Sequence, residues 1–209
     1  MSEPLKGNSP ETEALLRHAG QDDPDVLGDL FSRHTDRLKR MVRLRMDRRL
    51  QGRVDVADVL QESFLEALKC FPEYQRKPTM SFFVWLRCIT SRQLLDIHRR
   101  HLGAKARDAR REISIDQEAF PEATSAALAA QLLGCLTSPT EAAVRAERRA
   151  RLQVALENMD PIDREILALR HFEQLSNVEA AEVLGIQNSA ASKRHLRALQ
   201  RLRQILKAV

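Results

Sequence analysis

The sequence predicts an all-α protein, two helical domains joined by a flexible acidic linker, and three observations lead there. Gly and Pro number only seven and eight among 209 residues, and aromatics make up 4%. Alternating β-branched runs are absent, so strands and their turns have little to build from. Apolar residues recur at helical spacing through most of the chain. Between about Ile113 and Pro139 that pattern lapses into an acidic stretch rich in Ala, Ser and Thr, broken by Pro121, Gly134 and Pro139. That is the composition of a linker.

The elements follow in order. Residues 1–12 are polar and carry Pro and Gly, which reads as a disordered tail. The first domain then spans 13–111. Its helical periodicity starts near Pro24, with Leu27, Phe31, Leu38, Met41 and Val42 on one face and Arg33, Arg37, Arg40 and Arg43 largely elsewhere. Gln51-Gly52-Arg53 breaks the pattern. A second helix is expected over Val54–Cys70, with Val56, Leu60, Phe64 and Leu68 toward the core and Asp58, Glu62 and Glu66 on another face. A loop, Pro72–Pro78, follows and holds Tyr74, Arg76 and Lys77. The third helix runs from about Ser81 past Arg100, its seam marked by Phe83, Leu86, Thr90, Leu94 and Ile97. Residues 112–139 form the linker, with a loose helix at Ala126–Leu133.

The second domain is expected over 140–209. Helical pattern resumes from Thr140 to Met159, and Pro161 sits in the first turn of a helix covering Ile162–His171. Ser176-Asn177-Val178-Glu179 reads as a capping box, with Ser at the N-cap and Glu at N3. Ala180, Ala181, Val183 and Leu184 supply an apolar face, and Gly185 ends the helix. A new helix begins after Gln187-Asn188. Its region, Ser189–Val209, holds six Lys or Arg and no acid. A short capped helix, a glycine turn and an acid-free basic helix are the parts of a DNA-reading helix-turn-helix. A plain helical hairpin with a solvated basic face uses the same parts.

Charge points to a polyanion. The net charge is +5, and its distribution is blocked. Residues 1–29 carry −5, 33–53 carry +7, 91–111 carry +5 and 112–142 carry −5. Separated basic patches suit contact with more than one part of a nucleic acid. Cys70, Cys88 and Cys135 are odd in number and widely spaced, which argues against disulfides and metal clusters. His98 and His101 lie in a basic run and fit phosphate-side or idle roles better than metal ligation. No apolar run approaches the ~18 residues of a membrane span, and Met1–Pro10 lacks a signal-peptide pattern. The expected location is the cytoplasm. Neither a catalytic constellation nor a cofactor-binding loop is present, so no enzyme, metal or cofactor is expected.

Two blocks of this chain resemble the sigma-70 family of bacterial transcription initiation factors, in particular its small extracytoplasmic function group. In the first block, Asp58-Val59-Leu60-Gln61-Glu62-Ser63-Phe64 matches the pattern D-x-x-Q-E-x-F, and Phe82-x-x-Trp85-Leu86 and Asp96-x-x-Arg99-Arg100 follow. In the second, Arg164-Glu165 and Glu179-x-Ala181-Glu182-x-Leu184-Gly185-Ile186 precede Arg194, Arg197, Ala198, Arg201 and Leu202. The resemblance implies that Asp58, Gln61, Glu62 and Phe64 bind core RNA polymerase. It implies that Tyr74, Arg76, Lys77, Trp85, Arg87, Arg92, Arg99 and Arg100 meet single-stranded promoter DNA at the −10 element, where aromatic platforms and cations capture unstacked bases. Trp85, flanked by Phe82, Phe83 and Leu86, fits a core position better than a stacking platform. In the helix-turn-helix, Ser189, Ser192, Lys193 and Arg194 are placed for base edges of the duplex −35 element, with Arg197 and Arg201 for phosphates. An anti-sigma protein is a further partner that the resemblance allows.

Departures from the family pattern are visible. Arg92 stands where Asn is common and Cys88 where a base is common, Asn177 replaces a frequent aromatic, and His195-Leu196 reverses the usual Leu-His order. They bear on base preference. A different class also fits the residues: a helix-turn-helix regulator that binds duplex operators by itself, with residues 1–111 as sensor or dimerisation domain. An RNA-binding helical protein fits the charge but not the helix-turn-helix.

Overall fold

The structure is a computed structural model that describes residues 7–18, 24–102, 123–134 and 142–208. It divides into two compact units, Met1–Pro121 and Glu122–Val209. All regular elements among the described residues are helical.

In the first unit α1 (Pro10–His18) lies on α2 (Pro24–Arg45), and α2, α3 (Val56–Arg76) and α4 (Phe82–Leu102) pack against one another. Leu27, Leu30, Leu38, Met41 and Val42 of α2 meet Val59, Leu60, Ala67 and Phe71 of α3 and Phe82, Phe83, Leu86 and Leu94 of α4, all buried. Gly52 turns the chain between α2 and α3 at φ 90°, a conformation open to glycine. Asp55 then caps α3 by accepting the Ala57 N–H at 2.9 Å.

Three expectations change here. The disordered tail over 1–12 gives way to structure from Gly7 onward; residues 1–6 lie outside the described residues. Ser9 accepts the Thr12 N–H at 3.2 Å and Pro10 opens α1, while the Asn8 side chain accepts the Phe82 N–H at 2.7 Å at the start of α4. The core stripe of α3 is not Val56, Leu60, Phe64 and Leu68. It runs Val59, Leu60, Ser63, Ala67, Phe71 and Tyr74, while Val56, Phe64 and Leu68 are only half-buried. A strict spacing of four drifts round a helix of 3.6 residues per turn, so the buried stripe from Leu60 to Tyr74 mixes threes and fours.

The loop Pro72–Pro78 is the third. Residues 72–76 are the last turn of α3, which runs through Pro72 and ends where Lys77 donates to the Glu73 carbonyl at 3.1 Å. An internal Pro costs about 3 kcal/mol. Burying Phe71 and Tyr74, each worth about 1.5–3 kcal/mol, offsets it. Tyr74 stacks on Trp85 with ring centroids 4.6 Å apart, and Phe82 approaches both rings.

In the second unit α5 (Ser125–Gly134) packs on α6 (Ala142–Glu157), burying Leu128, Ala129 and Leu133. The part of the expected linker near Ala126–Leu133 is therefore a helix of this unit, because its apolar face has a partner; residues 103–122 and 135–141 lie outside the described residues. Asp160 caps α7 (Pro161–Leu167), accepting the Ile162 and Asp163 N–H groups, and Pro161 occupies the first turn. The helix expected to reach His171 widens into a π-helical turn, Ala168–Phe172. α8 (Asn177–Leu184) carries the full capping box: Ser176 Oγ accepts the Glu179 N–H, and the Glu179 carboxylate accepts the Ser176 N–H at 2.6 Å. Gly185 ends α8 at φ 63°, ψ 30°, and α9 (Asn188–Ala208) follows.

If α3 is helical through Pro72, the Pro72→Ala protein regains a helix donor. Thermal unfolding of the first unit should then show stabilisation of about 1–3 kcal/mol. A lower melting temperature would return the segment to a loop.

Candidate protein- and nucleic-acid-binding surfaces

The outer face of α3 is one surface. Asp55 fixes the start of the helix, and the Leu60–Tyr74 stripe fixes its rotation. Asp58 and Gln61 are thereby left exposed, with Glu62 at the edge. Glu62 accepts from Arg100 of α4 at 3.2 Å, an ion pair about half exposed on both sides. Phe64, the fourth expected contact, turns inward and meets Phe31 edge-on at 5.1 Å. Leu65 takes its place outside, 52% exposed. Asp58, Gln61, Glu62 and Leu65 are spaced to share one helix face. The stripe is thus an apolar point among acids and an amide, suited to a partner that is basic with an apolar pocket. A search by charge passes over Leu65; its position seven residues after Asp58 is the signal that finds it.

Farther along α3, Glu66 bonds Lys69 at 2.9 Å, which lowers its pKa. Burial raises that of the Cys70 thiol.

The eight residues assigned to single-stranded DNA separate. Tyr74 is 5% exposed, stacks on Trp85 and donates its hydroxyl to the Met80 carbonyl at 3.0 Å. Arg87 is fully buried in α4. Both are core residues of this fold: the extra turn of α3 carries Tyr74 onto α4, and Arg87 lies on the inner side of α4 with Phe83 and Leu94. Trp85 is half-buried in the same aromatic cluster. Arg76, Lys77, Arg92, Arg99 and Arg100 are exposed, with Arg99 paired to Asp96 at 3.0 Å. Nearby, His98 Nε2 accepts the Asp47 N–H at 3.3 Å. The Arg49 hydrogen bonds lower the Asp47 carboxyl to about 2.

On α9 the buried side is Ala191, Ala198 and Ile205, at heptad spacing. The opposite side exposes Ser189, Ser192, Lys193, Leu196, Arg197, Gln200 and Arg203. Ser192 Oγ bonds back to the Asn188 carbonyl at 3.2 Å, and Arg201 lies exposed at the edge. Arg194 departs from the expected role. Its guanidinium bonds Asp163 at 2.8 Å and Asp160 at 3.3 Å, with the side chain 26% exposed. It therefore ties α9 to the start of α7. Leu196, Gln200 and Arg203 were not among the expected readers.

Beside the exposed His171, His195 is half-buried. Its Nε2 lies 2.9 Å from Nε2 of His171 in the π-helical turn. Burial first, then Arg170, lowers the pKa of His171; burial, then His171 and Arg170, lowers that of His195.

Among the described residues no three His, Cys, Asp or Glu converge on a metal position, and no helix is long and apolar enough to cross a membrane.

Arg194→Ala should destabilise the second unit by about 1 kcal/mol, as for a partly screened ion pair, and leave sequence preference unchanged. Lys193→Ala should relax preference in selection from random duplexes. The reverse pattern would restore Arg194 as a base reader.

The histidine pair gives a pH dependence. Folding disfavours the protonated forms, so stability is full above the ordinary histidine value of 6.5 and declines as pH falls below it. Melting curves of the second unit should show this loss, and His171→Gln/His195→Gln should flatten it. An unchanged slope would remove the pair from that role.

The chain matches two family descriptions, Sigma-70 region 2 over residues 30–102 and Sigma-70, region 4 over residues 149–202, together more than half its length. It is 27% identical over 184 residues to RNA polymerase sigma factor CarQ of Myxococcus xanthus, covering 87% of this chain and 90% of CarQ. Among solved structures it resembles CnrH in complex with the cytosolic domain of CnrY, at 22% identity and a TM-score of 0.50, with 94% and 95% of the two chains covered. A sigma factor RpoE bound to the anti-sigma factor NepR, from Bartonella quintana, aligns at 16% identity and a TM-score of 0.47, with 88% and 98% covered.

Proposed function

The chain belongs to the sigma-70 family of transcription initiation factors, with the two-region build of its extracytoplasmic function group, and from that premise we propose a division of labour between its two units. As an RNA polymerase sigma factor it directs core polymerase to promoters; catalysis of RNA synthesis lies with the polymerase. The first unit docks on core through Asp58, Gln61, Glu62 and Leu65 of α3. Its exposed bases Arg76, Lys77, Arg92 and Arg99 hold the backbone of the opened −10 strand, while Tyr74 and Arg87 keep α3 and α4 in place for it. The second unit reads the −35 duplex through α9. Cytoplasm is the compartment this function requires.

The observation that carries this reading is the pairing of the two surfaces in one chain. An acidic stripe with an exposed Leu repels DNA and suits a protein, whereas an acid-free helix after a capped glycine turn suits a major groove. Opening needs both, because unstacking bases costs a few kcal/mol that duplex binding alone does not supply. CnrH is seen with the cytosolic domain of CnrY, and an anti-sigma protein covering the α3 face is the third partner we assign.

Run-off transcription with core polymerase tests the proposal. The chain should confer transcription from selected promoters. The Asp58→Ala/Leu65→Ala protein, both positions being exposed, should remain folded and bind core about tenfold or more weakly. Unchanged core binding would remove α3 as the docking face. A footprint on duplex DNA by the chain alone, undiminished without polymerase, would identify a stand-alone regulator.

A further inference from the structure

Leu196 lies in the middle of a face that everything else makes hydrophilic. At about 100° per residue, it falls within about 20° of Ser189 and about 40° of Gln200 on α9. It is flanked by Ser192, Lys193 and Arg197, all exposed, and it is itself 61% exposed. Val154, Leu65, Ile162 and Leu206 are the other large exposed apolar residues described, and none of them lies on this stretch of α9. Single exposed leucines are ordinary on a surface. This one is at the centre of an acid-free helix whose opposite side, Ala191 and Ala198, is packed inside the unit.

Two local facts set this arrangement. His195, the residue before, is held beside His171 at 2.9 Å. Arg194 is held by Asp163 and Asp160 at 2.8 and 3.3 Å. One of the two cations that the sequence assigned to base edges is thus turned away, and the helix centre presents an isobutyl group between a serine pair and a lysine. Basic residues on both sides commit the face to a polyanion. The major-groove feature that accepts an apolar side chain is the thymine C5-methyl group.

We infer that Leu196 is a specificity residue for the upstream duplex, packing against a thymine methyl, with Lys193 and Ser192 reading the neighbouring base edges. This rests on the reading of α9 as the duplex-binding helix. Preference for thymine at that position is then apolar, insensitive to salt, and separate from the phosphate contacts of Arg197 and Arg201. The reversed His195-Leu196 order becomes a change of code: it places a hydrocarbon where the reverse order would place an imidazole.

The test uses the full chain with core polymerase and duplexes enriched from a random-sequence pool. Each thymine of the enriched upstream element is replaced singly by uracil, which removes only the methyl group. Wild-type binding should fall about three- to fourfold at one thymine, the worth of one methyl returned to water. Leu196→Ala should bind the thymine duplex correspondingly more weakly and show no further loss with uracil there. Lys193→Ala/Arg197→Ala serves as the control. If that control weakens duplex binding while uracil is neutral everywhere, or the uracil penalty persists in Leu196→Ala, the methyl contact is refuted and the role of α9 stands. If the control too leaves upstream binding unchanged, the reading of α9 itself falls. An enriched element without thymine also overturns the inference.

Discussion

The rotation of α3 about its own axis decides what the first unit can offer a partner. A helix has one circumference, and each residue buried on one side fixes which residues stand on the other. The aromatic packing of Phe71 and Tyr74 against Phe82 and Trp85 pins the end of α3 to α4. Carried back along the helix by the threes and fours of Ala67, Ser63 and Leu60, that packing leaves Asp58, Gln61 and Leu65 outside. Phe64 goes to Phe31. Loss of the aromatic contacts would release the turn after Pro72 and with it the register of the whole acidic face. Tyr74 thus acts on any partner through the helices it holds.

The same constraint shapes α9. Ala191 and Ala198 are small enough to let α9 lie close to its neighbours in the second unit, and the ion pairs of Arg194 fix it against α7 at a second point. The cations that remain outside are those free to meet phosphate. Since each neutralised phosphate contributes to affinity and to its salt dependence, withdrawing Arg194 would, on the proposed reading of α9, lower the non-specific term and leave a larger share of discrimination to Ser192, Lys193 and Leu196.

What was legible in the sequence was local. The capping box at Ser176 and the turn at Gly185 depend on residues within a few positions of each other, and both have the expected geometry. The seams of α2 and α4 were legible because their apolar residues recur at helical spacing on one face. The α3 seam was not, because a spacing of four gave an apparently regular stripe while the true one includes Ser63, whose hydroxyl bonds the Val59 carbonyl at 2.6 Å. Pro72 reads as a stop because its cost is local, whereas the burial that offsets it comes from a different helix. Asn8 reaching Phe82 and Arg194 reaching Asp160 and Asp163 join residues 74, 34 and 31 apart. No spacing rule announces such pairs.

On the proposed division of labour, two opposed chemistries on one chain meet two different partners at once, polymerase on α3 and duplex DNA on α9. The direct measurement is photo-crosslinking in the assembled complex of this chain, core polymerase and promoter DNA, with p-benzoylphenylalanine placed at Leu65 or at Leu196. Crosslinks from position 65 to a polymerase subunit and from position 196 to the upstream duplex are the expected result. Crosslinks from position 65 to DNA, or from position 196 to polymerase alone, would contradict it.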